Sequence, residues 1–340
     1  MGKQITISGY CTTRNAVSMD YPFEATIRSL LDFCDEVVVA DSSDKDDGTQ
    51  DILQKLMDED EKVQVYHVDV PWDAPNYGIY DGQMKAFARE QCTGDFLWQM
   101  DSDEICQPGM RQKVEDLLSK VNFLKDTPLV ALPVVEYWGG IDKVRVDVNP
   151  WKWRLSRNDK SITHGIPIQF RQYKDGLLFA RHGTDGCDYI DANTGEIIPC
   201  IHFIKEDIEH LRRAAVTQPE AIPMYQFWFQ TVTEQLPSVY HFSWWSIAAK
   251  IQKYKHFWND SWLTLYGEKS DKPEGWNPFF DRPLSEVTDE EIKTKARELA
   301  TNTGGHIFHT PWTGQKTNHI KLDQTLPKYI EEWAMAHKDL

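Results

Sequence analysis

Residues 94–104 (Gly-Asp-Phe-Leu-Trp-Gln-Met-Asp-Ser-Asp-Glu) join an apolar segment to an acidic end. The run of large apolar side chains over residues 96–100 is typical of a strand that is buried on both faces of a sheet. Three carboxylates, Asp101, Asp103 and Glu104, follow that strand directly. Because open α/β sheets bind their ligands at the carboxyl ends of the strands, we predict a functional site here.

The spacing of the acids indicates a metal ion. Asp101 and Asp103 are two positions apart, so on an extended chain their side chains would point to the same side. Two adjacent carboxylates are costly unless a cation lies between them. Oxygen ligands that leave room for phosphate oxygens suit Mg²⁺ or Mn²⁺. The alternative is a solvated loop, because Asp-x-Asp occurs by chance on many surfaces.

The N-terminal third alternates strand and helix patterns. Strands are predicted over residues 4–10, 36–41 and 63–68, with helices over residues 23–33 and 49–56 between them. Such repeats fold with right-handed crossovers into a parallel sheet. Further helices are predicted over residues 81–89, 114–121, 208–214 and 246–257, and further strands over residues 129–135 and 152–156. Residues 166–195 are predicted to form hairpins and loops, and residues 269–283 a long loop. A late helix is predicted to be capped by Thr288 and Glu291.

Composition excludes several classes of protein. The formal net charge of -16 argues against nucleic acid and anionic membranes, which both need a basic protein face. The six cysteines are scattered without a C-x-x-C pair, so we expect reduced thiols and not a disulfide framework. No signal core opens the chain, and no window reaches the roughly 18 apolar residues of a spanning helix. We therefore expect a cytoplasmic protein without an integral membrane segment.

Four segments, in this order, resemble family 2 glycosyltransferases of the GT-A fold. The first strand and the polar loop at residues 12–15 are similar to the family's opening strand and nucleotide loop. Residues 37–43, with Asp-Gly-Thr at 47–49, resemble its V-V-D-x-x-S-x-D-G-T element. Lys85 lies where many members have an arginine, and residues 101–103 form the D-x-D motif. Each segment alone is weak evidence, but their order and spacing make the match specific.

The resemblance implies a fold and a division of the chain. The expected fold is a Rossmann-like, three-layer α/β/α GT-A domain with a mostly parallel central sheet and a C-terminal α+β extension on the acceptor side. Residues 1–128 would be the nucleotide-sugar-binding half, and residues 129–265 the acceptor-side half. Residues 266–340 would form the C-terminal extension.

The resemblance also implies a nucleotide-sugar donor, UDP-linked by preference, and a glycan or other sugar as acceptor. Asp41 would accept a hydrogen bond from the base, and Thr12 and Arg14 would hold the nucleoside. The position of Asp41 agrees, because it ends strand two beside strand one, where nucleosides lie in doubly wound sheets. The alternatives for Asp41 are a loop carboxylate and a helix N-cap.

The motif residues are assigned to the ribose, the diphosphate and the metal. The resemblance implies that Asp101, with Ser102, faces the ribose or the metal, and that Asp103 binds Mn²⁺ or Mg²⁺ directly. Lys85 would lie near the diphosphate, the alternative being a solvated helix face.

A further metal ligand is expected from the C-terminal half. Residues 239–245 (Val-Tyr-His-Phe-Ser-Trp-Trp) look like a late H-x-S-W element of related transferases, which makes His241 the candidate. His202 and His164 are the other candidates, and packing histidines are the alternative.

The general base is expected to be a carboxylate. Related enzymes carry one shortly after the strand that ends in R-L-F-R, but here the corresponding residues 163–165 are Thr-His-Gly. The nearby acids Asp185 and Asp188 are therefore the candidates, the alternative being turn residues. The pair Glu206 and Asp207 opens a helix, where acids are expected for dipole reasons alone. An inverting reaction is implied by the family.

Two other functions stay open. A sugar-1-phosphate nucleotidyltransferase would normally carry a glycine-rich phosphate loop with Arg and Lys after strand one. Residues 12–18 hold only Arg14 and no glycine. A non-catalytic carbohydrate-binding protein on the same fold would bind sugar regardless of a chelator and of Asp103. The thirteen tryptophans suit core packing or sugar stacking, and the candidates for stacking are Trp138, Trp151 and Trp153.

Overall fold

The computed structural model describes residues 5–70, 77–120, 128–181, 186–202, 206–253, 275–302, 305–306 and 316–337. Its strands are β1 (Ile7–Thr13), β2 (Glu36–Asp41), β3 (Val63–His67), β4 (Phe96–Met100), β5 (Glu104–Cys106), β6 (Leu129–Glu136), β7 (Val144–Arg145), β8 (Trp151–Arg157), β9 (Ile162–His164), β10 (Arg171–Lys174), β11 (Leu177–Ala180), β12 (Tyr189–Asp191), β13 (Cys200–Ile201), β14 (Val239–His241), β15 (Trp276–Asn277), β16 (Arg282–Pro283), β17 (Gly305–His306), β18 (Lys316–Thr317) and β19 (His319–Ile320).

The predicted helices are present in the described residues, and two more helices, Ile222–Gln235 and Glu331–Ala336, were not predicted. The helices are α1 (Phe23–Leu31), α2 (Thr49–Glu59), α3 (Tyr77–Gln91), α4 (Met110–Lys120), α5 (Glu206–Thr217), α6 (Ile222–Gln235), α7 (Ile247–Lys253), α8 (Asp289–Asn302) and α9 (Glu331–Ala336). In the described part of the chain, no helix is long and apolar enough to span a bilayer.

The central sheet has the order β3-β2-β1-β4-β8-β6-β14-β5, and β13 pairs with β6 off this path. Strands β3, β2, β1 and β4 run parallel to their neighbours. Strand β8 is antiparallel to β4 and β6, and β14 is parallel to β6 but antiparallel to β5. The predicted mostly parallel α/β sheet is therefore confirmed.

Alternate residues of the sheet pack against helices on opposite faces. Val37 and Val39 of β2 share a core cluster with residues of α1, α2 and α4. Val38 and Ala40 belong to a second cluster with residues of α3. This alternation follows from the two-residue period of a strand, and it produces the three layers. A strand buried on both faces reads as a continuous apolar run, as the sequence does here.

The chain departs from the predicted extended geometry after β4. The strand ends at Met100, and residues 101–103 form a turn in which the Glu104 N–H donates to the Asp101 carbonyl at 3.1 Å. The turn leads into β5, which pairs with β14 and not with β4. Residues 101–103 are therefore not extended, and the prediction that spacing along an extended chain directs Asp101 and Asp103 to the same side is wrong.

Two C-terminal predictions are refined. The segment predicted as a long loop over residues 269–283 contains the short hairpin of β15 and β16 in its described part. The predicted capping box is present: the Thr288 N–H donates to Glu291 at 2.9 Å, and the Glu291 N–H donates to the Thr288 hydroxyl at 3.3 Å. No disulfide joins any two of the six cysteines in the structure.

Candidate active site

The carboxyl ends of β1 and β2 form the first part of the site. Thr13 and Asp41 are paired across the two parallel strands, and the Asp41 side chain is fully buried. Its Oδ1 accepts hydrogen bonds from the hydroxyls of Thr13 at 2.7 Å and Ser43 at 2.6 Å. Its Oδ2 lies 3.0 Å from Nδ1 of His67. Because Asp41 is the last residue of β2, it is neither a loop carboxylate nor a helix cap.

Thr12 and Arg14 lie beside this corner. Thr12 is in β1, paired with Ala40, and Arg14 follows the strand; both side chains are half-buried. The next residue, Asn15, ties the loop down, because its N–H donates to Ser43 Oγ at 2.8 Å. The structure thus places both residues at the strand end where the nucleoside is expected, and their role stays a prediction.

Asp101 is held by cations. Its Oδ1 lies 2.8 Å from Lys85 Nζ and accepts from the Gln99 amide at 3.1 Å, and its Oδ2 lies 2.9 Å from Arg154 Nη2. Burial alone would raise the pKa of the Asp101 carboxyl, but Lys85 and Arg154 hold it well below its usual value. The side chain of Lys85 is only 10% exposed. The alternative that Lys85 lies on a solvated helix face is therefore wrong.

The charges continue into the sheet. Glu104 is fully buried and pairs with Arg154 at 2.6 Å and with Lys152 at 3.0 Å. Burial would lower the pKa of Arg154, but Glu104 and Asp101 raise it. This network was not predicted. The available signal was two cations, Lys152 and Arg154, that alternate with large apolar residues in a strand, since charged groups are rarely buried unless they are paired.

A second carboxylate–histidine group lies at the same turn. His241 ends β14 and is paired with Glu136 of β6 and Glu104 of β5. Its Nε2 is 3.2 Å from Asp103 Oδ1, and its Nδ1 is 2.5 Å from Glu136 Oε2. Burial would lower the pKa of His241, but Glu136 and Asp103 raise it to about 10. The pKa values of Asp103 and Glu136 are lowered by His241 against the opposing effect of burial.

The structure thus brings His241 to Asp103, while the other two histidines have different partners. The ring nitrogens of His164 contact the Tyr10 hydroxyl and the Cys187 carbonyl, both at 2.8 Å. His202 packs edge-on against Trp153, with ring centroids 6.4 Å apart. Of the three predicted candidates, the one beside the D-x-D motif is therefore His241.

The side chains of Asp103 and His241 suit a divalent cation as ligands. Metal-binding histidines usually donate their other ring N–H to a carboxylate, and Glu136 is placed to accept it. Among the described residues no group of three or more His, Cys, Asp and Glu side chains is arranged to hold a metal ion. Mg²⁺ and related ions commonly keep several waters and are held by one or two carboxylates plus substrate phosphates. Asp103 and His241 suit such a site, and metal binding stays a prediction.

The loop that carries the candidate base packs against α3. An added Cβ at Gly82 would lie 1.6 Å from the Gly186 carbonyl oxygen, so helix and loop are in direct backbone contact. The Cys187 thiol donates to Asp81 at 2.9 Å, and Asp81 pairs with Lys85 at 3.2 Å. Cys187 is therefore joined through Asp81 to the cation network around Asp101, and the role of the next residue, Asp188, as general base stays a prediction. The other candidate, Asp185, lies outside the described residues.

The tryptophan predictions are partly wrong. Trp138 is fully buried and packs against Trp244, with ring centroids 4.9 Å apart, and Trp151 is 3% exposed. A ring enclosed on both faces cannot stack on a sugar, so these two side chains belong to the core. Trp153 is half-buried and stays a candidate.

Comparisons with known proteins are consistent with this arrangement. Residues 22–173, which include Asp41, Lys85, Asp101 and Asp103, match the model named Glycosyl transferase family 2. No curated protein matches the chain.

Several solved structures show a distant likeness. S. aureus TarS 1-349 in complex with UDP is 19% identical with a TM-score of 0.32, over 45% of this chain and 47% of that chain. The mannosyltransferase PcManGT from Pyrobaculum calidifontis in complex with GDP-Man and Mn²⁺ is 15% identical with a TM-score of 0.30, over 38% and 36%. Mannosyl-3-phosphoglycerate synthase from Rubrobacter xylanophilus is 17% identical with a TM-score of 0.28, over 45% and 53%. This chain spans about half or less of each.

The family model carries the assignment, since it covers the stretch in which the sequence motifs occur in the expected order. Residues 22–173 of this chain therefore match glycosyl transferase family 2.

Proposed function

We propose that this protein is a metal-dependent, inverting glycosyltransferase that moves a sugar from a UDP-sugar to a hydroxyl of a glycan or other sugar acceptor. The observation that carries the proposal is the placement of Asp41 at the end of β2 and of Asp103 in the turn after β4, both at the carboxyl edge of the parallel part of one sheet. Ligands of open α/β sheets bind at that edge. Asp41 is available for the nucleobase, and Asp103 is available for the metal.

The hydrogen bonds of Asp41 support uracil as the base. A carboxylate has about four acceptor positions. Among the described residues, Thr13 and Ser43 occupy two on Oδ1, and His67 occupies one on Oδ2. One acceptor position is left, which suits the single N–H that uracil presents at N3. Guanine would present two neighbouring N–H groups to the same carboxylate and would leave one of them without an acceptor.

Asp103 and His241 would hold the divalent cation, with Glu136 orienting the histidine ring. When bound, the cation would act as a Lewis acid that stabilises the negative charge of the departing diphosphate. Asp101 has a different task, since its oxygens already contact Lys85 and Arg154. It would orient the ribose and keep Lys85 directed at the diphosphate side of the site.

The acceptor hydroxyl needs a general base within hydrogen-bond reach. Asp188 and Asp185 are the proposed general bases, and Asp188 is supported by the contacts of the two residues before it, Gly186 and Cys187, with α3. Inversion follows from a single displacement at the anomeric carbon, in which the base takes the proton of the attacking hydroxyl and UDP leaves on the opposite side. The acceptor would lie on the side of β8, where Trp153 is available for stacking.

Release of UDP from a panel of UDP-sugars, with and without candidate sugar acceptors, tests the proposal. We expect turnover in Mn²⁺, none in EDTA, and a loss of at least about 100-fold in Asp103→Asn, because charge stabilisation in the transition state is removed. Asp116→Asn, a change at an exposed acid of α4, is the control and should keep full activity. Unchanged turnover in Asp103→Asn would contradict the proposal. Sugar binding that ignores EDTA and the Asp103 change would favour a carbohydrate-binding protein, and pyrophosphate release from UTP and a sugar-1-phosphate would favour a nucleotidyltransferase.

A further inference from the structure

Helix α7 carries two lysines, Lys250 and Lys253, and it begins shortly after His241. Lys250 is 8% exposed, and its Nζ donates to Ser243 Oγ at 2.5 Å and lies 5.5 Å from the centre of the Trp244 ring. Lys253, one turn further along, donates to the Asp20 carbonyl at 2.9 Å and lies over the Tyr21 ring at 4.6 Å. The helix therefore connects the segment after β14 with the loop after β1.

Both ammonium groups interact with the D-x-D turn. The Phe242 N–H donates to the Asp103 carbonyl at 2.9 Å, so the segment that leads into α7 is attached to that turn. Burial lowers the pKa of Lys250 to about 8, against the opposing effect of Asp103. Burial lowers the pKa of Lys253 as well, and Asp20 and Asp103 oppose it. A buried ammonium that Asp103 attracts, and that the Ser243 hydroxyl holds two residues from His241 along the chain, is suited to receive an anion.

The cations on the other side of the turn already have carboxylate partners. Lys85 and Arg154 pair with Asp101, and Arg154 and Lys152 pair with Glu104. A nucleoside diphosphate carries more negative charge than one divalent cation neutralises. Further positive charge close to Asp103 is therefore required when the diphosphate leaves.

We infer that Lys250 and Lys253 of α7 bind the diphosphate of the donor, with Lys250 contacting the phosphate nearest to Asp103. This inference rests on the proposed function and adds a second source of charge that acts without the metal. Ser243 is the positioning residue, because its hydroxyl holds the Lys250 ammonium toward the site before the donor binds. We expect Lys250, which is 8% exposed, to be the stronger contact and Lys253, which is half-buried, the weaker one, because charges interact more strongly where water is excluded.

Comparing UDP with uridine separates the diphosphate from the rest of the ligand. Calorimetric titrations would be run in EDTA, so that a metal contributes nothing, on the wild-type chain, Lys250→Met and Lys253→Met. Methionine keeps the length and the burial of the side chain while removing the charge. Lys55→Met is the matched control, since Lys55 lies on α2 with a side chain that is 65% exposed. Thermal unfolding of each variant verifies that it is folded.

We expect Lys250→Met to weaken UDP binding about 10–100-fold, as for the loss of a charge-assisted hydrogen bond, and uridine binding less than about twofold. Lys253→Met should weaken UDP binding about 3–10-fold and also spare uridine. Unchanged UDP binding in both variants, or an equal loss for UDP and uridine, would overturn the inference while leaving the proposed function intact. A wild-type chain that binds neither ligand in EDTA, and does not bind UDP in Mn²⁺ either, would overturn the proposed function as well.

Discussion

Replacing Asp41 with asparagine reverses the hydrogen-bonding character of the proposed base site with almost no change in shape. Oδ1 should remain the oxygen, because it accepts hydrogens from both the Thr13 and Ser43 hydroxyls. The amide nitrogen would then replace Oδ2. One of its hydrogens can be accepted by His67 Nδ1 in the other neutral tautomer, and the second points to the base. The acceptor for uracil N3–H thus becomes a donor.

The size of the effect follows from the bond that is lost. A hydrogen bond to a charged group contributes about 1.5–3 kcal/mol. UDP should therefore bind Asp41→Asn about 10–150-fold more weakly than the wild-type protein. Cytosine presents an acceptor at N3 in place of the N–H, so CDP should bind the variant better than it binds the wild type. The stability of the fold should change little, because both hydroxyls keep their acceptor.

Isothermal titration of UDP and CDP into the wild-type protein, Asp41→Asn and Asp44→Asn measures both affinities. Asp44 is an exposed acid in the loop after β2, three residues beyond Asp41, which makes it the matched control. Equal UDP affinity in the wild type and in Asp41→Asn would refute the assignment of Asp41 to the base. An equal loss of UDP and CDP binding would also refute it, because it would mean a general disturbance and not a changed hydrogen bond.

Two further predictions concern stability. Gly82→Ala places a Cβ 1.6 Å from the Gly186 carbonyl oxygen and should lower the free energy of unfolding by about 1–3 kcal/mol. The control Gln83→Ala, at an exposed neighbour on α3, should change it by less than about 0.5 kcal/mol. Equal urea midpoints for the two variants would contradict the packing of the loop on α3. Burial lowers the pKa of His164 to about 3 from an unfolded value near 6.5, so the unfolded state binds the extra proton and stability should fall as pH falls from about 6.5 toward 3. In His164→Asn, urea unfolding over that range should show a pH slope that is shallower by up to about 1.4 kcal/mol per pH unit, and an identical slope would mean that His164 is protonated in the folded protein.

The parts of the fold that depend on local patterns could be predicted from the sequence. The apolar runs of β2 and β4 and the helices between the strands follow from burial and periodicity alone. The end of β2 was predicted too, so Asp41 was correctly placed beside strand one, although β1 extends to Thr13, through residues predicted as a polar loop. The capping box at Thr288 is likewise a local signal, because the two partners are three residues apart.

The parts that depend on distant pairing could not be predicted in this way. The turn at residues 101–103 exists because β5 pairs with β14, more than 130 positions later in the chain. The ion pairs of Arg154 with Asp101 and Glu104 join β8 to that turn, and no sequence spacing reveals them. The burial of Trp138 depends on Trp244 in the same way. His241 was identified by the likeness of its surroundings to a family element, and its distance to Asp103 became measurable only in the structure.

The central claim is that the carboxyl edge of the sheet binds UDP together with a divalent cation at Asp103 and His241. The direct measurement is the affinity of UDP in Mn²⁺ and in EDTA, for the wild-type protein and for Asp103→Asn. We expect the wild-type protein to bind UDP at least about tenfold more tightly in Mn²⁺ than in EDTA. For Asp103→Asn the two affinities should differ by less than about twofold. The same affinity with and without Mn²⁺ in the wild type, or a full Mn²⁺ effect in Asp103→Asn, would contradict this claim.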